Sequence, residues 1–304
     1  MFAMVEVTKA EEINSAQEKK ATVIIPHYND HERLIRCLEA LNYNCLDSVD
    51  VIVIDNGSNP NLSAVNERFP KFKFLTEQQK GAGPARNRGV AESSTPYLFF
   101  LDADCVPAKD WVEVALQCCK PNTLIGGHID LYDETSGIER NASQAFEAVF
   151  AFNQKAYVEN KGFAVTANLI TSREVFLATG EFRNGVSEDL DWCRRAVNTG
   201  FALRYEDALR VMHPSRGDWE ALKKKWIRLT SESWSLHSES ILSRIKWVLS
   251  AGLMPVSVLV HLPKVFFSSK LHSSSERIKA AYMLTKLRLL RSVWMLKLVV
   301  LGHV

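Results

Sequence analysis

The chain has 304 residues, a hydrophobic fraction of 46% and a formal net charge of +2, which excludes general disorder and allows one large domain or two small ones. Its six cysteines include no Cys-x-x-Cys pair, so the sequence favours reduced thiols in a cytosolic protein over a disulfide framework or a zinc site. Residues 1–20 are polar and of mixed charge, unlike a signal peptide, and we expect them to form a flexible leader.

The small net charge hides an asymmetry between the two ends of the chain. Residues 222–304 contain 14 lysines and arginines against three glutamates and no aspartate, a net charge of +11, whereas the remainder carries −9. An acidic front and a basic, apolar tail indicate different partners for the two ends.

From residue 21 onward, β-branched apolar runs alternate with segments whose apolar residues recur at helical spacing. A turn signal, Asp-Asn-Gly-Ser, follows the second run, and a Gly-Ala-Gly-Pro segment opens a later helix. Strands alternating with helices predict an α/β fold with a mostly parallel central sheet flanked by helices. The predicted strands are residues 21–26, 49–54, 71–75 and 97–101, and the predicted helices are residues 30–42, 62–69 and 81–92.

The second half of the chain has a less regular pattern. A Thr-Ser-Arg-Glu segment at 171–174 predicts a capping box at a helix start, and Ser187 and Gly200 mark the two ends of a later helix. The remaining predicted elements are strands at 123–132 and 164–170, a helical stretch at 143–158, and one or two short strands within 201–211.

Two carboxylates stand at the end of the fourth predicted strand. Asp102 and Asp104 are spaced i, i+2, so in extended backbone they could share a face. Hard oxygen ligands at the mouth of a buried strand suit Mg²⁺ or Mn²⁺ carrying a diphosphate, although this Asp-x-Asp (DXD) pattern alone also fits a solvated loop. Ligands of such sheets bind at the carboxyl ends of strands, so Asp55, at the end of the second strand, could share the site.

Further short motifs stand in order along the chain, and together they closely resemble the family 2 glycosyltransferases with the GT-A fold, over about residues 21–215. The resemblance implies a nucleotide-diphospho-sugar transferase fold for residues 21–220. It also implies sugar transfer from a nucleotide-sugar donor, expected to be a UDP-sugar, to a saccharide or lipid-linked saccharide acceptor in cell-surface polysaccharide synthesis. The motifs are Ile-Ile-Pro-His-Tyr-Asn at 24–29, Val-Ile-Asp-Asn-Gly-Ser at 53–58, Gly-Pro-Ala-Arg-Asn-Arg-Gly at 83–89, Phe-Leu-Asp-Ala-Asp at 100–104, Ser-Glu-Asp-Leu-Asp-Trp at 187–192 and His-Pro at 213–214.

The resemblance implies nucleotide-binding roles for several of these residues. In the family, the segment after the first strand lies against the nucleobase, so Pro26 and Tyr28 would form a wall of that pocket. Asp55 would accept a hydrogen bond from a ring N–H of the base, and Arg86, in preference to Arg88, would reach the nucleotide or diphosphate. Ordinary turn packing of Tyr28 and an Asx-turn at Asp55 are the structural alternatives.

The resemblance also implies a metal site and a catalytic base. Asp102 would lie near the ribose and the metal, Asp104 would bind the metal, and His213 would be a later ligand to the metal or the diphosphate. Asp189 would take the acceptor's proton in an inverting displacement, with Glu188 positioning it or the acceptor. Two acids in a first helical turn are also what the helix dipole favours, and that dipole would lower their pKa and weaken them as bases.

The basic, apolar region at 221–304 is predicted to be helical. Residues 247–262 carry no charged side chain but are interrupted by Pro255 and are marginal in length for a spanning helix, and residues 286–304 have the pattern of a basic amphipathic helix. We expect this region to hold the protein at the cytoplasmic face of a membrane, where anionic lipids attract it. Packing on the catalytic domain or on a second subunit is the alternative. The region has no recognisable nucleic-acid-reading motif, so we expect no nucleic-acid partner.

Two other function classes compete with sugar transfer. A sugar-phosphate nucleotidyltransferase would have a glycine-rich first loop followed by a lysine, and the segment at 26–29 is not such a loop. A catalytically inactive nucleotide-binding or membrane scaffold would have no use for Asp102, Asp104 and Asp189, which are all present.

Overall fold

The computed structural model describes residues 18–134, 139–235 and 240–303, so most of the predicted flexible leader lies outside the described residues. In the described ranges the β-strands form one eight-stranded sheet. The strands are β1 (Ala21–His27), β2 (Val49–Asp55), β3 (Lys73–Thr76), β4 (Tyr97–Leu101), β5 (Val106–Pro107), β6 (Thr123–Tyr132), β7 (Asn168–Ser172) and β8 (Ala202–Pro214). The helices are α1 (His31–Asn42), α2 (Ser63–Arg68), α3 (Ala82–Glu92), α4 (Trp111–Cys118), α5 (Ala142–Phe150), α6 (Gln154–Lys161), α7 (Arg173–Thr179), α8 (Glu188–Asn198), α9 (Trp219–Ser235), α10 (Ile241–Leu253), α11 (Ser257–Phe266) and α12 (Ser274–Leu301).

The strand order is β3-β2-β1-β4-β7-β6-β8-β5. Strands β3, β2, β1 and β4 are parallel, as the alternation of strands and helices predicts, and so is the β6–β8 pair. Strand β7 is antiparallel to both neighbours. The carboxyl ends of β1, β2 and β4 therefore meet at one edge, where the predicted site residues are concentrated.

Helices cover both faces of the sheet. Val23 and Ile25 of β1 belong to a core shared with α1, α2 and α4, whereas Ile24 between them packs with α3, α7 and α8. This alternation follows from the two-residue period of a strand, and a strand buried on both faces needs the continuous apolar run seen in the sequence. The predicted α/β fold is confirmed.

Several local predictions differ from the structure. The helical stretch at 143–158 is two helices, because Asn153 caps α6 by accepting from the Ala156 N–H. The predicted capping box at 171–174 is wrong: Thr171 stays paired in β7, and Ser172 caps α7 by accepting from the Val175 N–H. The sequence analysis also missed α4 and β5.

The C-terminal helices pack against α5. Phe146 of α5 shares a buried cluster with Leu222 of α9, Val258 of α11 and Leu284 of α12. The C-terminal helices therefore do pack on the catalytic domain, which was given above as an alternative to membrane attachment. The predicted boundary at residue 220 falls in the first turn of α9, and the division into separate domains stays a prediction.

The same helices leave many large apolar side chains exposed. Among the described helices, none alone has the length and apolar character to cross a membrane; α10 and α11 meet the criterion only as a pair, bent by 54°. The exposed apolar side chains of this C-terminal region include Ile241, Leu242, Leu249, Leu253, Leu259, Val260, Phe267, Ile278 and Val300.

Candidate active site

A cavity of about 500 Å³ opens where the carboxyl ends of β1 and β4 meet the start of α8 and one side of α9. Its lining is rich in ionisable side chains. The carboxylates are Asp30, Asp102, Asp104, Glu188, Asp189 and Glu232, and the guanidinium groups are Arg86 and Arg228. Pro26 and Tyr28 also line it, so most of the residues predicted from the motifs lie around one space.

The turn after β1 forms one wall of the cavity. Asn29 adopts φ 52°, a left-handed conformation that asparagine tolerates. Its backbone N–H donates to the Ser58 hydroxyl at 2.9 Å, and its side-chain oxygen accepts from the Asn59 N–H at 2.8 Å. These bonds tie the turn to the loop after β2 and leave Tyr28 57% exposed at the cavity wall. Nucleobase stacking by Tyr28 stays a prediction.

Asp55 does not line this central cavity. It faces a neighbouring cavity of about 350 Å³, and its Oδ1 accepts from the Ser58 N–H at 3.1 Å. That contact is the turn-capping role that was the structural alternative for this residue. Its recognition of a base stays a prediction.

Helix α3 approaches the sheet closely because of Gly89. A β-carbon at this position would lie 2.5 Å from Ile24 Cγ2 and 2.8 Å from Ile54 Cδ1, which any larger residue would have to displace. The close approach places the first turns of α3, which carry Arg86, against the carboxyl ends of β1 and β4.

Arg86 is buried and bridges two acids. Its Nη2 donates to Asp102 Oδ1 at 2.6 Å and its Nη1 donates to Glu188 Oε1 at 3.2 Å. Arg88, two residues on, pairs instead with Glu92 on the surface at 2.7 Å. Arg86 lines the cavity, but carboxylates at the end of β4 and in α8 already bind its guanidinium. Its contact with the nucleotide or diphosphate stays a prediction.

Asp104 and His213 face each other at the proposed metal position. His213 Nδ1 lies 2.8 Å from the Pro214 carbonyl oxygen, which can only accept, so Nδ1 is the donor. His213 Nε2 then lies 3.2 Å from Asp104 Oδ2. In the neutral imidazole two acceptors meet there, and a divalent cation would satisfy both.

The described residues contain no group of three histidine, cysteine or acidic side chains placed to hold a metal unaided, and Asp102 directs one oxygen to Arg86. Mg²⁺ and similar ions usually take one or two protein ligands and complete their shell with water and substrate phosphates. The Asp104–His213 pair fits such a partly open site. Binding of the metal by Asp102 stays a prediction.

Asp189 lies in the first turn of α8. The Thr166 hydroxyl donates to its Oδ1 at 2.6 Å. Burial raises the pKa of Asp189 to about 7, and the neighbouring Glu188 carboxylate adds to the rise, while Arg86 opposes it. The expectation that the helix dipole would lower this pKa is therefore wrong for Asp189, because loss of solvent outweighs the dipole. A carboxylate with this pKa is suited to proton transfer near neutral pH.

Helix α9 supplies a wall that the sequence analysis missed. Arg228, Leu229 and Glu232 line the cavity, and Arg228 Nη1 donates to Glu232 Oε1 at 3.2 Å. Burial raises the pKa of Glu232, and Glu188 acts in the same direction. A run of lysines followed by Trp-Ile-Arg is typical of any charged amphipathic helix, so no local signal marks these residues.

Comparison with known proteins decides the family. Residues 22–180 match the family model described as glycosyl transferase family 2. The chain belongs to glycosyl transferase family 2. It is 29% identical over 216 residues to glycosyltransferase AglE of Haloferax volcanii, covering 67% of this chain and 70% of that protein. It is 27% identical over 222 residues to the pre-mycofactocin glycosyltransferase of Mycobacterium tuberculosis, covering 67% of this chain but 45% of that protein.

A solved structure shares the fold of this glycosyltransferase. It is the mannosyltransferase PcManGT from Pyrobaculum calidifontis in complex with GDP-Man and Mn²⁺, with a TM-score of 0.53 and 15% identity. The alignment covers 94% of this chain and 77% of the mannosyltransferase. The glycosyltransferase fold thus brings Pro26, Tyr28, Arg86, the DXD pair, Glu188 and Asp189 around one cavity, places His213 against Asp104, and leaves Asp55 beside it.

Proposed function

We propose that this glycosyltransferase transfers a sugar from a nucleotide-sugar donor to a saccharide or lipid-linked saccharide acceptor in cell-surface polysaccharide synthesis. The observation that carries the proposal is that an Asp104–His213 pair and Asp189, a carboxyl group of raised pKa, belong to one site. The proposed donor is a UDP-sugar. The bound GDP-Man of the mannosyltransferase with the same fold makes GDP-sugars the second class to test.

The proposed reaction is an inverting single displacement. Asp189 takes the proton of the acceptor hydroxyl as that oxygen attacks the anomeric carbon, while Thr166 and Arg86 orient the carboxylate and its neighbour Glu188. Asp104 and His213 would hold Mg²⁺ or Mn²⁺, which when bound neutralises charge on the departing diphosphate. The Mn²⁺ in the complex of the mannosyltransferase with the same fold supports the use of a divalent ion.

A donor panel tests the proposal. Thermal shift and donor hydrolysis would be measured with UDP-, GDP-, dTDP- and CMP-sugars, each with and without Mn²⁺. We expect one nucleotide class to raise the melting temperature in the presence of Mn²⁺, because a ligand at 100 times its Kd stabilises the folded state by about 2.7 kcal/mol. No response to any class, with the full-length protein folded and lipid supplied, would contradict it.

We also propose that α10, α11 and α12 rest on an anionic membrane surface at the cytoplasmic face. Two features favour a lipid surface over another protein: many large apolar side chains of this region are exposed, and residues 240–304 contain ten lysines and arginines against one glutamate. Apolar side chains between basic ones are the pattern of helices that lie in the bilayer interface. Such a position would suit a lipid-linked acceptor.

Vesicle flotation tests the membrane proposal. The full chain should float with phosphatidylglycerol vesicles at low salt and much less with phosphatidylcholine vesicles, since each basic residue near an anionic surface contributes about 1 kcal/mol. Leu249→Asp with Leu259→Asp should abolish flotation while leaving the melting temperature nearly unchanged, because these side chains are 62% and 70% exposed. If the wild-type chain does not float with the phosphatidylglycerol vesicles, the membrane proposal is wrong.

A further inference from the structure

Helix α9 runs from the metal side of the cavity to the base side. Near its start, Lys225 Nζ lies 5.4 Å from the centre of the Phe152 ring, which itself lies 4.8 Å from the ring of His213. Two turns later, Glu232 lines the cavity together with Glu188 and Asp189. Helix α9 therefore reaches His213 through Phe152 and shares the cavity lining with the Glu188–Asp189 pair.

Arg228 stands between Lys225 and Glu232 along α9. Positions three and four apart share a helix face, so Arg228 lies on the same side of α9 as Lys225 and Glu232. In the proposed reaction, the bond between sugar and diphosphate must lie between the metal ligands and the base. Arg228 lines the same cavity as Asp104 and Asp189.

The cavity is lined mainly by acidic side chains, so binding of an anionic diphosphate requires a positively charged group. Among the described residues, six carboxylates line the cavity against two guanidinium groups, and Arg86 is buried between Asp102 and Glu188. Arg228 differs because its side chain is 59% exposed and its ion pair in the described part of the chain is with Glu232, one turn along the same helix. Because the arginine side of this i, i+4 pair is exposed to solvent, the pair holds Arg228 only weakly, and a doubly charged diphosphate can compete with the single charge of Glu232.

A buried ion cluster holds the segment of α9 that carries Arg228 against α5. Glu147 of α5, 1% exposed, accepts from Lys225 Nζ at 2.9 Å and from the backbone N–H of Arg216 at 2.7 Å. This buried ion cluster ties α9 to α5 and to the chain just after His213. Arg228 is thus carried on a fixed helix rather than on a loop, and a preorganised donor group is what stabilises developing charge most effectively.

We infer that Arg228 binds the diphosphate of the donor and stabilises it as the leaving group, whereas the family resemblance implied a nucleotide or diphosphate contact for Arg86. The inference rests on the proposed function. In the displacement, the bond from the anomeric carbon to the diphosphate oxygen breaks and its electron pair goes to that oxygen. The acceptor oxygen forms the new bond, its proton goes to Asp189, and Arg228 donates hydrogen bonds to the phosphate oxygens without changing its own protonation.

Calorimetric titration of the full chain with UDP, GDP, UMP and GMP in the presence of Mn²⁺ tests the inference. Arg228→Ala should weaken binding of the accepted diphosphate by roughly 10- to 100-fold, the usual loss for a charge-assisted hydrogen bond. Binding of the monophosphate should change much less. Arg228→Lys should recover part of the loss, since it restores the charge but not the bidentate geometry.

The matched control is Arg88→Ala, which removes another exposed arginine from an i, i+4 pair with a glutamate outside the cavity lining. It should leave both affinities unchanged. Unaltered diphosphate binding by Arg228→Ala, with wild-type binding intact, would overturn the role of Arg228 and leave the proposed function standing. Failure of the wild-type chain to bind any of the four nucleotides would overturn the proposed UDP- or GDP-sugar donor, and the inference with it.

Discussion

Replacing Asp189 with asparagine should slow sugar transfer by about 10²- to 10⁴-fold, the usual contribution of a positioned general base. Asparagine keeps the shape of the side chain and an oxygen for the Thr166 hydroxyl, which donates to Asp189 at 2.6 Å. Nucleotide binding should therefore persist. Initial rates with the accepted donor, beside calorimetric nucleotide affinity, measure the two effects separately.

The same substitution should stabilise the protein in a pH-dependent way. The folded protein holds the pKa of Asp189 at about 7, above its ordinary value of 3.8, so the folded state disfavours the carboxylate. This penalty is absent below pH 4, where both states are protonated, and complete above pH 7. Asp189→Asn should therefore raise the melting temperature at pH 8 by several degrees and leave it nearly unchanged near pH 4.

Asp191→Asn provides the control on the same helix. Asp191 pairs with Arg195 at 2.9 Å and does not line the cavity, so its loss should cost some stability but little transfer activity. Full transfer by Asp189→Asn would assign the base elsewhere. An inactive wild-type protein with intact nucleotide binding would instead favour the scaffold alternative.

The features predicted well from sequence are local ones. Strand β4 and its terminal Asp102 and Asp104 are recognisable because a buried strand and the residues that end it lie in one short window. The same holds for the turn at 26–29. The order of the family motifs along the chain also identifies Asp189 and His213 as candidate site residues. That order does not show which side chains contact each other.

The features that were missed depend on contacts between distant residues. Arg86 donates to Asp102, 16 residues away, and to Glu188, 102 residues away. The sequence around Arg86 does not show that its guanidinium is paired with these two carboxylates. The pKa of Asp189 was misjudged because the helix dipole is a local effect, whereas burial comes from the folded surroundings. Arg228 lines the site because α9 packs on α5, and a charged amphipathic helix has the same sequence pattern wherever it packs.

Replacing Asp104 with asparagine should remove the increase in nucleotide affinity that Mn²⁺ provides. The carboxylate faces His213 Nε2 at 3.2 Å, and a neutral amide oxygen is a much weaker ligand for a hard divalent ion. Loss of a residue that only hydrogen-bonds to a metal ligand typically lowers metal affinity by about 10- to 100-fold. Loss of Asp104, a proposed ligand itself, should lower it by at least that much. Titration of the nucleotide with and without Mn²⁺ gives the ratio directly.

Without metal, Asp104→Asn should still fold, because an amide N–H can donate to a neutral His213 Nε2 in place of the carboxylate. The control is Asp130→Asn, since Asp130 also faces a histidine, His128 Nε2 at 2.9 Å, on an exposed part of the sheet away from the cavity. That variant should keep the full response to Mn²⁺. If Asp104→Asn kept it as well, the cation would have to bind elsewhere, and the Asp104–His213 pair would be a structural contact between β8 and the end of β4.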